Sequence, residues 1–156
     1  VLARGWERQV DESRNPIFYG RAPLTATSYR AFLDRNAVSL VAVARGNPFD
    51  WGTRTEAALV AAGLPYLRQI AIDPHWTVYA VTDPTPVIAM PARFGESTDT
   101  GFTFTAPTPG RYAVRMRWSP YLVVTGGSVQ RLPDDSVAIR VTSAGEHWLH
   151  AEWRWP

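Results

Sequence analysis

The sequence predicts an α+β protein. Residues 1–85 read as a small α/β unit of helix, strand, helix, strand and strand, and residues 86–156 as an antiparallel β-sandwich-like module packed against it. Two observations carry this. The apolar period changes at Asp83-Pro84-Thr85-Pro86, with helical and strand spacings alternating before it and only strand spacings after it. The later strands are short and are separated, at roughly ten-residue spacing, by Gly, Pro and Asp turn clusters, which is the pattern of a sandwich. Each half has a small core of its own and the Pro-rich joint is too short for a flexible tether, so the halves are expected to share an interface and fold together.

Residues 1–24 show no sustained period, and Asn15-Pro16 before Ile17-Phe18-Tyr19-Gly20 reads as a loop or short strand. Thr25 or Thr27 then caps a helix whose apolar face is Ala26, Tyr29, Phe32 and Leu33, closed by Asn36. Val38 to Ala44 is almost uninterruptedly apolar, as in a strand covered on both faces. A turn cluster, Asn47 to Gly52, leads into Thr53-Arg54-Thr55-Glu56, which fits a capping box for a helix through Ala62 that stops at Gly63. Tyr66 to Ile72 and Trp76 to Thr82 form strands around Asp73-Pro74-His75. The first two strands are expected to be parallel through a right-handed crossover, with the third antiparallel at the edge.

Beyond the joint, Thr85 to Ala92 offers a first strand, and Phe102 and Phe104 alternate with Thr103 and Thr105. Tyr112, Val114, Met116 and Trp118 share one face, opposite Arg111, Ala113, Arg115 and Arg117, so that strand is apolar inside and cationic outside. Tyr121 to Val124 and Val137 to Val141 follow. In the last strand, Glu146 to Trp155, Leu149, Ala151 and Trp153 alternate with Trp148, His150 and Glu152.

Composition removes several classes of function. No apolar run approaches the roughly 20 residues needed to span a bilayer. The chain contains no cysteine, which excludes disulfides and thiolate chemistry. A net charge of +2, with arginines scattered among 14 acids, lacks the clustered basic face that nucleic acid requires. The chain begins at Val1-Leu2-Ala3 with neither a start methionine nor a signal-peptide core, and reads as a segment of something longer.

Chemistry is sparse. His147 and His150 have opposite strand parity and point to opposite faces, so they do not share a metal ion. Glu96, Asp99, Asp134 and Asp135 lie in turn-rich segments, and Asp134 with Asp135 falls short of the six to eight oxygens of a calcium site. Neither a nucleophile elbow nor a dinucleotide fingerprint occurs. No catalytic residue, metal or cofactor is therefore assigned. Of the seven tryptophans, Trp76, Trp118 and Trp153 are assigned to cores, whereas Trp148 lies on a polar face with His150 and Glu152. The ligand-binding candidates are Trp148, His150, Arg115 and Arg117, an indole for the apolar face of a sugar ring with arginine forks for its polar substituents.

The run Tyr29-x-x-Phe32-Leu33-x-x-Asn36-x-Val38, leading into a hydrophobic strand, resembles the helix-then-strand unit that follows the last membrane helix in the C-type membrane glycosyltransferase superfamily, mainly of actinobacteria. His75 to Val81 resembles the strand ending that unit, and Arg117-Trp118-Ser119-Pro120-Tyr121, Gly126-Gly127 and Ala144 to Leu149 resemble the terminal β module. The resemblance implies a non-catalytic, extracytoplasmic accessory domain joined to the transmembrane portion of the same polypeptide, such as a glycosyltransferase acting on cell-envelope glycans. No segment matches the loop carboxylates that such enzymes use, so none is carried over. A carbohydrate-binding sandwich and a free-standing hydrolase are the alternatives; hydrophobic spans upstream of Val1 separate the first reading from both.

Overall fold

The structure, a computed structural model, describes residues 3, 8–46 and 50–153, with the backbone alone for 8–10. Its described residues form four helices and ten strands in three antiparallel sheets, an α+β fold. Two compact units divide the chain, Val1–Thr85 and Pro86–Pro156.

The first unit begins with α1 (Arg8–Arg14) and the single turn α2 (Pro16–Tyr19), where a loop or short strand was expected. Pro16 starts α2 because a first helical position needs no N–H, and the turn drives Phe18 into the core at 1% exposure. Asp11, buried between the two helices, accepts hydrogen bonds from Asn15 Nδ2 at 2.6 Å and from the Tyr19 hydroxyl at 2.8 Å.

Thr25 caps α3 (Ala26–Arg35): its Oγ1 accepts from Ser28 N at 3.1 Å, and Ser28 Oγ accepts from Thr25 N at 3.0 Å. The helix buries Tyr29, Phe32 and Leu33, with Phe18 edge-on to both rings. Asn36 Nδ2 closes the end by donating to Phe32 O at 2.8 Å. After β1 (Leu40–Ala44) comes α4 (Trp51–Ala61), which Tyr29 reaches by donating its hydroxyl to Glu56 Oε1 at 2.7 Å. The cap of α4 is Asp50, whose Oδ1 accepts from Thr53 N at 2.7 Å, so the helix starts before the expected Thr53 to Glu56 box. Glu56 is spent on Tyr29. The first part of the expected turn, Asn47 to Phe49, lies outside the described residues.

The sheet of this unit corrects the expected order. Strands β2 (Leu67–Ile72) and β3 (Trp76–Val81) form the anticipated hairpin, with Asp73 Oδ1 accepting from His75 N and Trp76 N. The strand order, however, is β1-β3-β2, and both pairings are antiparallel. Strands β1 and β2 run in the same direction but are separated by β3, which is central rather than at the edge. The physical reason is that a short turn closes β2 on β3 at little entropic cost, and the other edge of β3 is then the one that β1 meets.

Only one face of β1 is covered. Val41 and Val43 pack on the helices, whereas Leu40 is 57% exposed and faces outward with Ala42 and Ala44, opposite Ala80, Val78 and Trp76. The unit closes where Arg30 donates to the Thr82 and Asp83 carbonyls and Thr85 Oγ1 donates to Asp34 Oδ1.

In the second unit, one sheet has the order β4-β5-β10-β7 and the other β6-β9-β8. The former comprises β4 (Arg93–Ser97), β5 (Gly101–Ala106), β10 (Gly145–Ala151) and β7 (Leu122–Val124). The latter comprises β6 (Gly110–Arg117), β9 (Ser136–Val141) and β8 (Gly127–Arg131). Their inner faces meet in one core of alternating residues, including Phe102, Phe104 and Leu149 from one sheet and Tyr112, Val114, Val137 and Ile139 from the other. The strand expected from Thr85 to Ala92 is reduced to a bridge from Ile88 to Val114, flanked by hydrogen bonds from Ala89 N and Arg115 N.

Asp50→Ala should destabilise the first unit by about 1 kcal/mol, while Thr53→Ala stays within about 0.5 kcal/mol. Urea unfolding of the two variants measures the difference, and equal effects would mean that Asp50 is not the cap.

Candidate functional site

Alternation along β10 sends His147 and Leu149 into the core and Trp148 and His150 outward. The two outward rings stack, with centroids 3.6 Å apart and planes within 13°. Thr125, after β7, fixes the backbone beneath them: its Oγ1 accepts from Trp148 N at 2.8 Å, and its N donates to Trp148 O at 3.0 Å. Trp148 Nε1 donates to Thr98 Oγ1 at 3.4 Å.

Both residues are half-buried, and their cross-strand neighbours at the sheet surface are small. Thr103 of β5 stands opposite Trp148, and Gly101 opposite His150. A Cβ on Gly101 would collide with the Leu149 carbonyl oxygen, so the close approach of the strands demands glycine there and puts no side chain beside the imidazole. On the other side of β10, Val123 of β7 is the partner of His150. Val123 also lines a concavity of about 310 Å³ with Pro120, Tyr121 and Glu152. Tyr121 in turn stacks on Trp153, centroids 4.6 Å apart. Glu152 follows β10, its N donating to Tyr121 O at 2.8 Å, which ties the Tyr121–Trp153 stack to the strand that carries Trp148 and His150.

Arg115 and Arg117 are not part of this face, which corrects the expected grouping of four residues. They belong to β6, in the other sheet, and project from its outer side, where Arg115 Nη1 donates to Pro86 O at 2.9 Å. In a sandwich the two outer faces point apart. Parity tells which side of its own sheet a residue occupies, but not in which sheet the strand lies. Tyr121 and Val123 were missed as site residues because only the register of β7 on β10 brings them to His150, whereas Glu152 shares the strand parity of Trp148 and His150.

The tryptophan assignments divide. Trp118 packs against the sandwich core, with the Arg131 guanidinium 4.9 Å above its ring. Trp153 does not: β10 ends at Ala151, short of the expected Trp155, and Trp153 lies past the sheet at 61% exposure. Arg154 and Trp155 lie outside the described residues. Trp76 is 43% exposed on the open face of the first unit's sheet.

His147 and His150 occupy opposite faces of β10. His147 is a buried clamp, with Nδ1 2.9 Å from Thr125 O and Nε2 3.0 Å from Ser143 O. Asp134 Oδ1 accepts from Ser136 Oγ and Asp135 Oδ1 from Arg131 Nε, as turn acids do. Among the described residues no three His, Asp or Glu side chains gather as a metal site.

No protein-family model matches this chain, and no curated protein or solved structure is significantly similar to it. A functional reading therefore stands on the chain's own geometry and on the motif resemblance.

Phe104→Ala, at the fully buried centre of the sandwich, should cost about 3–5 kcal/mol, and Trp153→Ala less than about 1 kcal/mol. Denaturant titration of the two variants checks the contrast; a large loss for Trp153→Ala would place that indole in a core.

Proposed function

We propose that the chain is a non-catalytic, extracytoplasmic accessory domain of a multi-spanning membrane protein, and that its sandwich unit holds a cell-envelope glycan against the Trp148–His150 face. The observation that carries the glycan part is the stacked indole–imidazole pair on the outer face of the sheet. An indole offers a flat apolar surface to the C–H face of a pyranose, and stacking on His150 already restricts its rotamers. Less side-chain entropy is then lost when a ligand binds. Polar groups stand beside it: Glu152 can accept hydrogen bonds from sugar hydroxyls, and Thr103 can accept or donate. The concavity at Tyr121 and Val123 extends the same surface, as an oligosaccharide longer than one ring would need.

The attachment to a membrane protein is supported by the resemblance of Tyr29 to Val43, His75 to Val81 and the terminal β segments to the domain that follows the last membrane helix in membrane glycosyltransferases. No helix among the described residues is long and apolar enough to cross a membrane, so in this reading the spanning segments belong to the rest of the polypeptide. Protease treatment of intact cells that produce the full-length polypeptide tests the location. Cleavage within this domain is expected, and protection until the membrane is broken would reject an outward-facing domain.

Titration with oligosaccharides released from bacterial cell envelopes, followed by tryptophan fluorescence, tests the face. Binding should be saturable, and Trp148→Ala should weaken it about tenfold, the worth of one aromatic contact. Binding that survives Trp148→Ala unchanged would remove the face from the reading.

A further inference from the structure

The outer face of the β6-β9-β8 sheet, on the far side of the sandwich, concentrates charge of one sign. The outward positions of these three strands include Arg111, Arg115, Arg117 and Arg140 and no Asp or Glu. Arg111 and Arg140 are direct cross-strand partners, with Ser128 next to Arg140 in the same row. Like charges placed opposite each other on neighbouring strands repel, and neither arginine is ion-paired to an acid among the described residues. Beneath the two side chains the floor is small: Ala138 is 2% exposed, with Ala113 and Gln130 as its cross-strand neighbours. Arg111, Arg140, Ser128, Gln130 and Ala138 border an open concavity of about 560 Å³.

We propose that this concavity binds a phosphate group carried by a saccharide, clamped between the Arg111 and Arg140 guanidinium groups. Two arginine forks on Cα atoms roughly 5 Å apart can converge on one ligand group. A carboxylate presents two oxygens in one plane, whereas the tetrahedral phosphate presents three, directed so that forks arriving from two sides can each meet their own. Ser128 Oγ and the Gln130 amide can donate from β8 to the same group or to an adjoining hydroxyl. The outward positions of the three strands carry no aromatic ring on which a nucleobase could stack and no large aliphatic residue to enter a bilayer, so the surface favours a polar, phosphorylated sugar. Binding would neutralise a repulsion built into the sheet. The site is independent of the Trp148 face and either can fail without the other.

The arginine Nε–Hε signals of the protein, titrated at constant ionic strength with inorganic phosphate and with glucose 1-phosphate, test the proposal. Saturable shifts are expected at Arg111 and Arg140 with both probes. Arg111→Gln and Arg140→Gln should each weaken binding about tenfold or more, while Arg93→Gln in the other sheet and Trp148→Ala leave it unchanged. Unaltered thermal midpoints in the glutamine variants would tie the loss to the site rather than to unfolding. A third arm uses phosphatidylcholine vesicles with and without phosphatidylglycerol. Shifts that never saturate, equal shifts at every arginine, unweakened binding by both glutamine variants, or binding to phosphatidylglycerol vesicles without binding to glucose 1-phosphate would each overturn it.

Discussion

The second unit depends on the alternation of β10. That strand pairs with β5 on one edge and β7 on the other, so one seven-residue segment joins the two halves of its sheet. Its inward residues anchor it: Leu149 is buried among Phe102, Val124 and the opposing sheet, and His147 lies buried with its ring nitrogens 2.9 and 3.0 Å from the Thr125 and Ser143 carbonyl oxygens. Once those positions are fixed, Trp148 and His150 have no choice but to face outward. The candidate glycan surface is thus the reverse side of a packing requirement.

The first unit relies on polar links between helices as much as on its apolar core. Tyr29 lies fully buried and donates a hydrogen bond from its hydroxyl to Glu56 on α4, while Asp11 is met by Asn15 and Tyr19. Buried polar groups of this kind are costly when a partner is lost, which restricts the helices to one arrangement. The three-stranded sheet lies on these helices by one face. Its other face carries Leu40, Ile70 and Trp76 in the open, more apolar surface than a sheet normally leaves uncovered.

Much of this was legible locally. The Thr25 cap, the Tyr29-Phe32-Leu33 stripe, the Gly63 stop, the β2–β3 hairpin and the alternations of β5, β6 and β10 follow from short-range rules, because a side chain's direction depends only on the backbone a few residues either way. The same locality explains the errors. Asn15-Pro16 reads as a loop or short strand although Pro16 suits a helix's first position, and the Thr53 box is a sound motif overtaken by Asp50 three residues earlier. The continuous apolar run of β1 suggested two covered faces, and nothing within it tells how many neighbours it will find.

The sequence by itself determined the class of each segment and the side on which its residues fall: an α/β pattern giving way to a β pattern, Trp148 and His150 on one side of their strand, Arg111, Arg115 and Arg117 on one side of theirs. Tertiary structure alone decided which strands become neighbours. It placed β3 between β1 and β2, put β6 and β10 in different sheets so that Arg115 and Arg117 left the Trp148 face, and set Arg140 opposite Arg111 and Val123 opposite His150. The reason is physical. Side-chain direction is a property of local dihedral angles, whereas strand pairing is a competition among distant segments for hydrogen-bonding edges and core contacts, settled by the energy of the whole unit.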